Sequence, residues 1–233
     1  LTIGGATASV DSLDITIHGV GGHGAMPHAT KDPIVLASQL VLALQTIRSR
    51  ELDPLEPSVV TVGSIHGGTK HNIIPDEVKL QLTVRATSQA SRKKILAAIE
   101  RIARGLGIAA GLPEELLPEV KSPQDFTHVV ENDEALCMKV IDAFKTTFGS
   151  DHFRLRKPTM GGEDFSLYGQ TADHIPICLF WLGTVRPDKV AEAEKTGQPL
   201  PSLHSPFYRP DAEPSLVTGV QAMTSAVLTC LKK

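Results

Sequence analysis

Apolar and polar residues follow two regular patterns in the first half of the chain. Residues Leu13 to Ile17 alternate between apolar and polar side chains, which predicts a half-buried strand. Asp32 followed by Pro33 is typical of the start of a helix. The apolar residues beyond it recur at helical spacing, namely Leu36, Leu40, Ala43, Leu44 and Ile47. This helix is expected to be apolar on more than one face because it carries further apolar residues, Val35, Val41 and Leu42.

The next part of the chain completes a recognisable order of elements. The predicted elements are two strands, a helix and a short strand, at residues 58–65, 78–85, 88–104 and 117–120. Gly105 and Gly107 are expected to end the helix. The order over about residues 12–120 is βαββαβ, the ferredoxin-like arrangement, in which an antiparallel sheet carries two helices on one face.

The remaining residues follow a different rhythm. Asn132 is expected to cap a helix that ends before Gly149. Residues 153–157 form a predicted strand, and residues 177–182 are a continuous apolar run, typical of a strand covered on both faces of an α/β sheet. A last helix is predicted from near Pro214. It carries apolar residues at helical spacing, namely Leu216, Val220, Met223, Val227 and Leu231.

These elements predict an incomplete second domain, because so small a sheet cannot cover both faces of its central strand. The predicted fold class is α/β (α+β), with a ferredoxin-like domain at residues 12–121 and part of a larger α/β domain at residues 122–233. Residues 1–11 are expected to be a remnant of that larger domain.

Composition and charge argue against nucleic acids and membranes as partners. The chain has 233 residues with 23 Lys plus Arg and 26 Asp plus Glu, a net charge of −3, so no broad electrostatic footprint for nucleic acid is expected. No run of eighteen apolar residues occurs, which predicts that no segment spans a membrane. Cys137, Cys178 and Cys230 lie far apart without a CxxC pair, which favours buried free thiols in a reducing, cytoplasmic compartment.

Several segments could carry chemistry, and each has a plainer reading. Residues 19–24 match GxGxxG after a strand, as in a dinucleotide-binding fold, although the helix starts too late for that motif. His23 could donate a hydrogen bond to a substrate oxyanion or be a turn residue without function. Asn72 is by itself a turn residue. Arg85 suits bidentate carboxylate binding, or is a solvated strand end.

The second half offers two further segments. Met160 to Phe165 contains Gly161 and Gly162, which allow a backbone to approach a ligand closely, although a tight turn explains them equally well. His204 lies in a proline-rich loop before the last helix and is by default a surface residue. No GxSxG motif of a hydrolase nucleophile occurs.

Taken in order along the chain, these motifs resemble the dinuclear-zinc amidohydrolases and metallopeptidases. That family includes hippurate hydrolases, N-acyl-amino-acid and indoleacetyl-amino-acid hydrolases, aminoacylase and glutamate carboxypeptidase relatives. The resemblance covers the whole chain, from the lid domain into the C-terminal part of the catalytic domain. The matching segments are Gly21–His28 with Asp32–Ile34, Gly67-Gly68 with Asn72–Asp76, Val84-Arg85, Met160–Ser166 and Leu203–Pro206.

The resemblance implies a role for each matched position. His204 would be a zinc ligand, and His23 would stabilise the oxyanion in the partner subunit's active site. Asn72 and Arg85 would hold the substrate, an N-acyl-amino acid. Gly161 and Gly162 would line its pocket. The helix from Pro33 and an edge strand of the lid would form a homodimer interface.

The chain departs from the family in one respect. The family's other metal ligands and its glutamate general base lie in motifs that this sequence lacks, and His204 alone cannot hold two Zn²⁺, or Mn²⁺ in their place. The chain is therefore expected to be a piece of a hydrolase that is inactive by itself. Two alternatives stay open: a non-catalytic dimerisation or binding module built on the lid, and a nucleotide-binding oxidoreductase.

Overall fold

The computed structural model describes residues 1–122 and 126–231. By their contacts, these residues form two compact units. One comprises Gly4–Glu131 with Lys157–Ile177, and the other comprises Leu1–Ile3, Asn132–Arg156 and Cys178–Lys233. The strands of the described residues are β1 (Gly4–Thr7), β2 (Ser9–His18), β3 (Gly22–His23), β4 (Ser58–Gly67), β5 (Ile73–Ile74), β6 (Glu77–Ala86), β7 (Glu119–Lys121) and β8 (Val130–Asn132). The α-helices are α1 (Pro33–Thr46), α2 (Gln89–Ala109), α3 (Glu134–Phe148), α4 (Pro187–Thr196) and α5 (Ala212–Leu231).

The first unit is built on a four-stranded antiparallel sheet with the order β4-β6-β2-β7. Together with α1 and α2 this is a βαββαβ unit, so the predicted ferredoxin-like arrangement is confirmed. The β2–β6 register runs from Ser9 opposite Ala86 to His18 opposite Glu77. The long strand β4 lies at one edge of the sheet.

The core of this unit follows the alternation of the sequence. Every second residue of β2 and β6 is buried, while the residues between them are exposed or half-buried. Both helices contribute to the same core. The buried residues of sheet and helices include Leu13, Ile15, Ile17, Leu36, Leu40, Leu44, Leu80, Val84, Ile95 and Ile99. The predicted apolar faces of these elements are therefore confirmed.

The two helices differ in how well the sequence locates their ends. Asp32 caps α1 as predicted, and its Oδ1 accepts a hydrogen bond from the Ile34 N–H at 2.9 Å. The prediction that Gly105 and Gly107 end the second helix is wrong, because α2 continues to Ala109. A Cβ at Gly107 would lie 2.6 Å from Pro118 Cδ. This glycine therefore permits close packing of α2 against the following segment.

A buried ion pair joins α2 to the sheet. The Asp11 side chain is fully buried, and Arg92 of α2 reaches it with Nη2 2.6 Å from Oδ1 and Nε 2.8 Å from Oδ2. The Arg92 guanidinium also lies 3.6 Å from the centre of the Phe126 ring. A carboxylate this deeply buried requires such a partner, because an unpaired buried charge is strongly destabilising.

The second unit has a small helical core. Cys137, Val140, Ile141 and Phe144 of α3 pack with Ala222 and Ala226 of α5. The helix ends at Gly149 as predicted, but its cap is Asp133, whose Oδ1 accepts from the Leu136 N–H at 2.7 Å. The predicted cap Asn132 has a different role. Its amide is buried and bonds to the Thr2 carbonyl and to both backbone groups of Leu179.

Two strand predictions in this region are wrong. Neither residues 153–157 nor residues 177–182 form a strand within the described part of the chain, although Arg154 and Arg156 each make one hydrogen bond with the backbone of Leu1. A strand is defined by its ladder, and no neighbouring strand among the described residues supplies one here. Helix α4 was not predicted from the sequence, although Pro187 at its first turn and Gly197 at its end, with φ of 70°, are typical helix boundaries.

The last helix leaves most of its apolar residues uncovered. Leu216, Val220, Met223, Val227 and Leu231 are all exposed. By length and composition α5 could cross a membrane, since its most apolar 18-residue window has a mean hydropathy of 1.3 and is 11% buried. Helices of soluble proteins can meet the same criterion, so this one helix is weak evidence. The absence of a membrane span stays a prediction.

Candidate active site

The glycine-rich segment of residues 19–24 is a loop held between two neighbouring stretches of backbone. Val20 exchanges two hydrogen bonds with Lys31, at 2.9 and 3.0 Å. On the other side, Asp76 accepts from the Gly19 N–H through its carbonyl at 2.8 Å and from the Gly21 N–H through Oδ1 at 3.0 Å. A Cβ at Gly21 would lie 2.5 Å from that Oδ1. Close approach of the backbone therefore explains the glycine at this position.

The same loop excludes the dinucleotide-binding interpretation. A GxGxxG motif binds pyrophosphate when a helix opens within it in a parallel βαβ unit. Here residues 19–24 contain the two-residue strand β3, and α1 begins only at Pro33. The sheet that contains β2 is antiparallel throughout. The nucleotide-binding alternative is therefore wrong.

His23 is presented at the end of this loop with one ring nitrogen engaged. β3 pairs with β5, which places His23 opposite Ile73. The imidazole is exposed, and its Nδ1 accepts a hydrogen bond from the Ala25 N–H at 3.0 Å. An accepting Nδ1 requires that the neutral ring carry its proton on Nε2. His23 is thereby set up as a hydrogen-bond donor through Nε2, the chemistry that oxyanion stabilisation needs.

Asn72 lies beside His23. The β3–β5 pairing brings the two residues together, and the Asn72 carbonyl accepts from the Gly24 N–H at 2.8 Å. The side chain of Asn72 is exposed, so its amide remains available to a ligand. Two of the predicted site residues therefore share one end of the sheet.

Arg85, Gly161 and Gly162 form a second group in the same unit. Arg85 Nη1 donates to the Met160 carbonyl at 2.8 Å, and the Gly161 carbonyl accepts from the Ala8 N–H at 3.0 Å. A Cβ at Gly162 would overlap Val10 Cγ2, so a side chain there would displace the loop. Arg85 thus fixes the glycine loop through one of its donors, and its other donors stay available for a carboxylate.

These two groups lie at opposite ends of the sheet. Asp76, at the His23 end, precedes β6, and Arg85 lies near the end of that strand. Nine residues of extended chain span roughly 30 Å, at about 3.3 Å per residue. The structure therefore brings His23 to Asn72 and Arg85 to the two glycines, but it does not bring His23 and Arg85 together within one chain.

His204 lies in the second unit, in an exposed turn where the Ser205 N–H donates to the Ser202 carbonyl at 3.1 Å. Its φ of 69° is in the left-handed region, which is uncommon for a residue other than glycine. Among the described residues no three His, Cys, Asp or Glu side chains are grouped as a metal site would require. These residues do not fit a dinuclear metal centre.

The cysteines do not replace the missing ligands. Cys137 and Cys178 have their Sγ atoms 3.6 Å apart and are unbonded thiols. Burial raises the pKa of Cys178 to about 12, and it raises the pKa of Cys137 as well. Metal binding requires the thiolate, so Cys137 and Cys178 behave as apolar residues of the helical core, as predicted. The prediction that Cys230 is also buried is wrong: this residue is exposed, because α5 leaves most of its apolar residues uncovered.

Comparison with known proteins identifies the first unit. The peptidase dimerisation domain of the M20 type matches residues 6–109. The chain is 40% identical over 176 residues to an N-acetyldiaminopimelate deacetylase of Leuconostoc citreum, which covers 76% of this chain and 43% of that protein. It is 34% identical over 201 residues to thermostable carboxypeptidase 2 of Saccharolobus solfataricus, covering 86% and 47%. The chain thus spans about half the length of the curated relatives it matches.

Solved structures show the same relationship. A protein from methicillin-resistant Staphylococcus aureus, described as an aminohydrolase, superposes with a TM-score of 0.82 and 27% identity, over 99% of this chain and 55% of that one. A Bacillus subtilis dinuclear metal binding peptidase from the M20 family shares the fold with a TM-score of 0.70 at 24% identity, over 99% and 52%. Residues 6–109 therefore match a peptidase dimerisation domain of the M20 type, and the chain shares its fold with a dinuclear metal binding peptidase of the M20 family.

Proposed function

We propose that the chain is part of a metal-dependent amidohydrolase that cleaves the amide bond of N-acyl-amino acids, with Zn²⁺, or Mn²⁺ in its place, as cofactor of the complete enzyme. The observation that carries the proposal is the exposed His23 imidazole, which is fixed as an Nε2–H donor on a peptidase dimerisation domain. The relatives support the substrate class, since one is named as a deacetylase of an N-acetylated amino acid and another as a carboxypeptidase.

In this proposal, His23 and Arg85 serve different active sites of a dimer. Their separation along β6 supports this, because one small substrate cannot touch both ends of the strand. His23, with Asn72 beside it, would act on the substrate held by the partner subunit. Arg85 would bind the substrate carboxylate near Gly161 and Gly162, and His204 would be one ligand of a metal whose other ligands lie outside the described residues.

The proposed dimer forms through α1 and the edge strand β4. Val35 and Leu42 are exposed apolar residues on α1, and Ile65 is exposed on β4. An edge strand has unpaired backbone groups that can extend the sheet into a second copy. The exposed residues of α1 would pack against the same helix of the partner, which accounts for apolar side chains on its outer face.

A second candidate is a non-catalytic dimerisation or binding module. The lack of a metal cluster among the described residues favours it, whereas the engaged Nδ1 of His23 favours the enzyme. Whether the protein is an enzyme or a binding module, we propose that it works in a reducing, cytoplasmic compartment, which the unbonded thiols of Cys137 and Cys178 support. The near-balanced charge supports a small-molecule substrate over nucleic acid.

The oligomeric state is the first test. Light scattering of the purified chain is expected to give twice the 25.0 kDa of one chain. Leu42→Glu should produce monomers, because a charge would enter the apolar interface. Leu55→Glu is the matched control, since Leu55 is also an exposed leucine of the same unit and lies outside α1. A wild-type monomer at high concentration would refute the shared-site proposal.

The second test is hydrolysis of N-acyl-amino acids, hippurate among them, after equilibration with Zn²⁺ or Mn²⁺. No turnover is expected from the chain alone. Turnover that a chelator removes and that His204→Ala abolishes would show that the chain holds a complete site after all.

A third test addresses the role of His23 in the partner's active site and uses a complete enzyme containing these residues. Mixing His23→Ala subunits with subunits disabled at the metal site should restore some activity, and no restoration would count against a role in trans.

A further inference from the structure

We propose that Asp76 is a positioning residue for His23, and that its carboxylate holds the glycine loop in the arrangement that presents the imidazole. Its catalytic meaning rests on the proposed function, but the positioning itself can be tested without any reaction. In the sequence, Asp76 stands out only as the last residue of the motif from Asn72 to Asp76.

Asp76 binds the loop at two points. Its backbone carbonyl accepts from the Gly19 N–H at 2.8 Å, and its Oδ1 accepts from the Gly21 N–H at 3.0 Å. The second bond is charge-assisted, which makes it stronger than a bond between neutral groups. A Cβ at Gly21 would lie 2.5 Å from Oδ1 and 2.8 Å from the Ile74 carbonyl, so the loop is seated directly against this segment.

The loop needs such an anchor because it has little conformational stability of its own. His23 is flanked by Gly21, Gly22 and Gly24, and glycines lose more conformational freedom on ordering than other residues. The strand that contains His23 is two residues long. A few hydrogen bonds therefore decide where the imidazole stands.

Among the hydrogen bonds described for this loop, the Asp76 carboxylate supplies the side-chain acceptor that lies outside the loop. The bonds of Val20 to Lys31 and of Gly24 to Asn72 use backbone groups on both sides. Those bonds survive most substitutions, whereas the bond to Oδ1 does not. The neighbouring Lys79 does not compete for Asp76, because it is paired with Glu77 at 2.9 Å.

The effect reaches the imidazole through a short turn. The Met26 N–H donates to the His23 carbonyl at 2.8 Å, and the Ala25 N–H donates to Nδ1. Both bonds are accepted by His23, which closely follows the glycines that Asp76 holds. Releasing Gly21 allows His23 to move relative to this turn, so the proton is no longer held on Nε2.

The test uses this chain and nuclear magnetic resonance. Asp76→Ala removes the acceptor, and Asp76→Asn keeps an oxygen there without the charge. Asp53→Ala is the matched control, because Asp53 Oδ1 also accepts a backbone N–H, from Leu55 at 2.8 Å, in a different turn of the same unit. The readouts are amide hydrogen exchange at Gly21 and the ring-nitrogen shifts of His23, which report the tautomer.

In Asp76→Ala, exchange at Gly21 should rise about tenfold, as expected for the loss of a charge-assisted hydrogen bond. The His23 ring should shift from the Nε2–H form toward the mixture of an unrestrained histidine. Asp76→Asn should show a smaller change in both readouts, and Asp53→Ala none. Wild-type values in Asp76→Ala would overturn the proposal. Equal changes in Asp53→Ala would also overturn it, since they would indicate general loosening.

A measurement of enzyme activity distinguishes a failure of the positioning role of Asp76 from a failure of the proposed function. In a complete enzyme containing these residues, Asp76→Ala should lower kcat with little change in KM, and Asp76→Asn should restore part of kcat. If His23→Ala leaves kcat unchanged while Asp76→Ala still alters the His23 ring signals, the catalytic role fails and the positioning role stands.

Discussion

Helices α1 and α5 carry apolar residues at the same helical spacing, but only α1 buries that face. Leu36, Leu40 and Leu44 lie in the core of the first unit, whereas Leu216 and Val220 of α5 are exposed. The difference lies in what faces each helix. A four-stranded sheet with a complete ladder covers α1, and in its own unit α5 packs mainly against α3, through Ala222 and Ala226. Spacing reveals which face of a helix is apolar, and tertiary contacts decide whether that face is buried.

The largest effect is expected from breaking the ion pair that ties α2 to the sheet of the first unit. Asp11→Ala leaves the Arg92 guanidinium largely buried without a counter-charge, which costs roughly 3–5 kcal/mol. Urea unfolding followed by circular dichroism measures the change. Asp188→Ala is the control, because it removes an exposed arginine–aspartate pair of the second unit and should leave the midpoint unchanged. Equal effects of the two variants would mean that the first unit is no better closed than the second.

The two helices can be compared directly with one leucine from each. Leu44→Ala should cost about 2–5 kcal/mol, because it leaves a cavity in a closed core. Leu216→Ala should leave the unfolding midpoint nearly unchanged, since its side chain is already exposed to solvent. Trp181, the single tryptophan, lies in the second unit and reports its unfolding by fluorescence. A large loss in Leu216→Ala would show that a second copy or another surface covers α5 in solution.

A smaller loss of stability is expected from replacing Asn132, whose side chain makes the hydrogen bonds to residues 177–182 that a neighbouring strand would otherwise make. Its amide donates to the Leu179 carbonyl at 2.9 Å and accepts from the Leu179 N–H at 2.6 Å. Asn132→Ala leaves both groups without their partner, at a cost of about 1–3 kcal/mol. Trp181, two residues further on, should shift its fluorescence at a lower urea concentration. Asn72→Ala is the control, since the Asn72 side chain is exposed. An unchanged transition would mean that Leu179 finds another partner.

The sequence predicts the first unit well because its signals are local and consistent. Strict alternation in β2 and β6 and the cap at Asp32 each point to the element that forms. The second unit has the same kinds of signal, but the apolar run of residues 177–182 indicates only that this segment could be a strand with other elements packed on both of its faces. A ladder depends on a neighbouring strand, and no local pattern specifies one.

The candidate site likewise has features that a local sequence pattern reveals and features that depend on tertiary contacts. The glycine motif, His23 and Asn72 are visible in the sequence as parts of the family resemblance, but their proximity is not. The contact between Asp76 and Gly21 joins residues 55 positions apart, so no spacing rule reveals it. Only the pairing of β2 with β6, which sets His18 opposite Glu77, brings this carboxylate to the glycine-rich loop. The separation of His23 from Arg85 follows only once both are placed on one sheet.

The smallest expected effect is a pH dependence that belongs to the first unit. Burial, and then the nearby Arg92 guanidinium, lower the pKa of His128 below its ordinary 6.5, with Asp11 acting weakly in the opposite sense. Gln89 Nε2, 3.1 Å from Nδ1, suits the neutral ring. The unfolded chain therefore binds the proton more tightly than the folded one, so this contribution to the free energy of unfolding is complete above pH 6.5 and declines as the pH falls below it.

His128→Gln should make that decline shallower between about pH 7.5 and 5.5, as urea midpoints would show. His152→Gln is the matched control, because His152 is an exposed histidine of the second unit and its loss should leave the pH profile as it is. If both variants flatten the profile equally, the pH dependence comes from the general charge of the chain. A change confined to His128→Gln would assign the pH dependence to this half-buried ring, where burial and the neighbouring Arg92 guanidinium disfavour the protonated state.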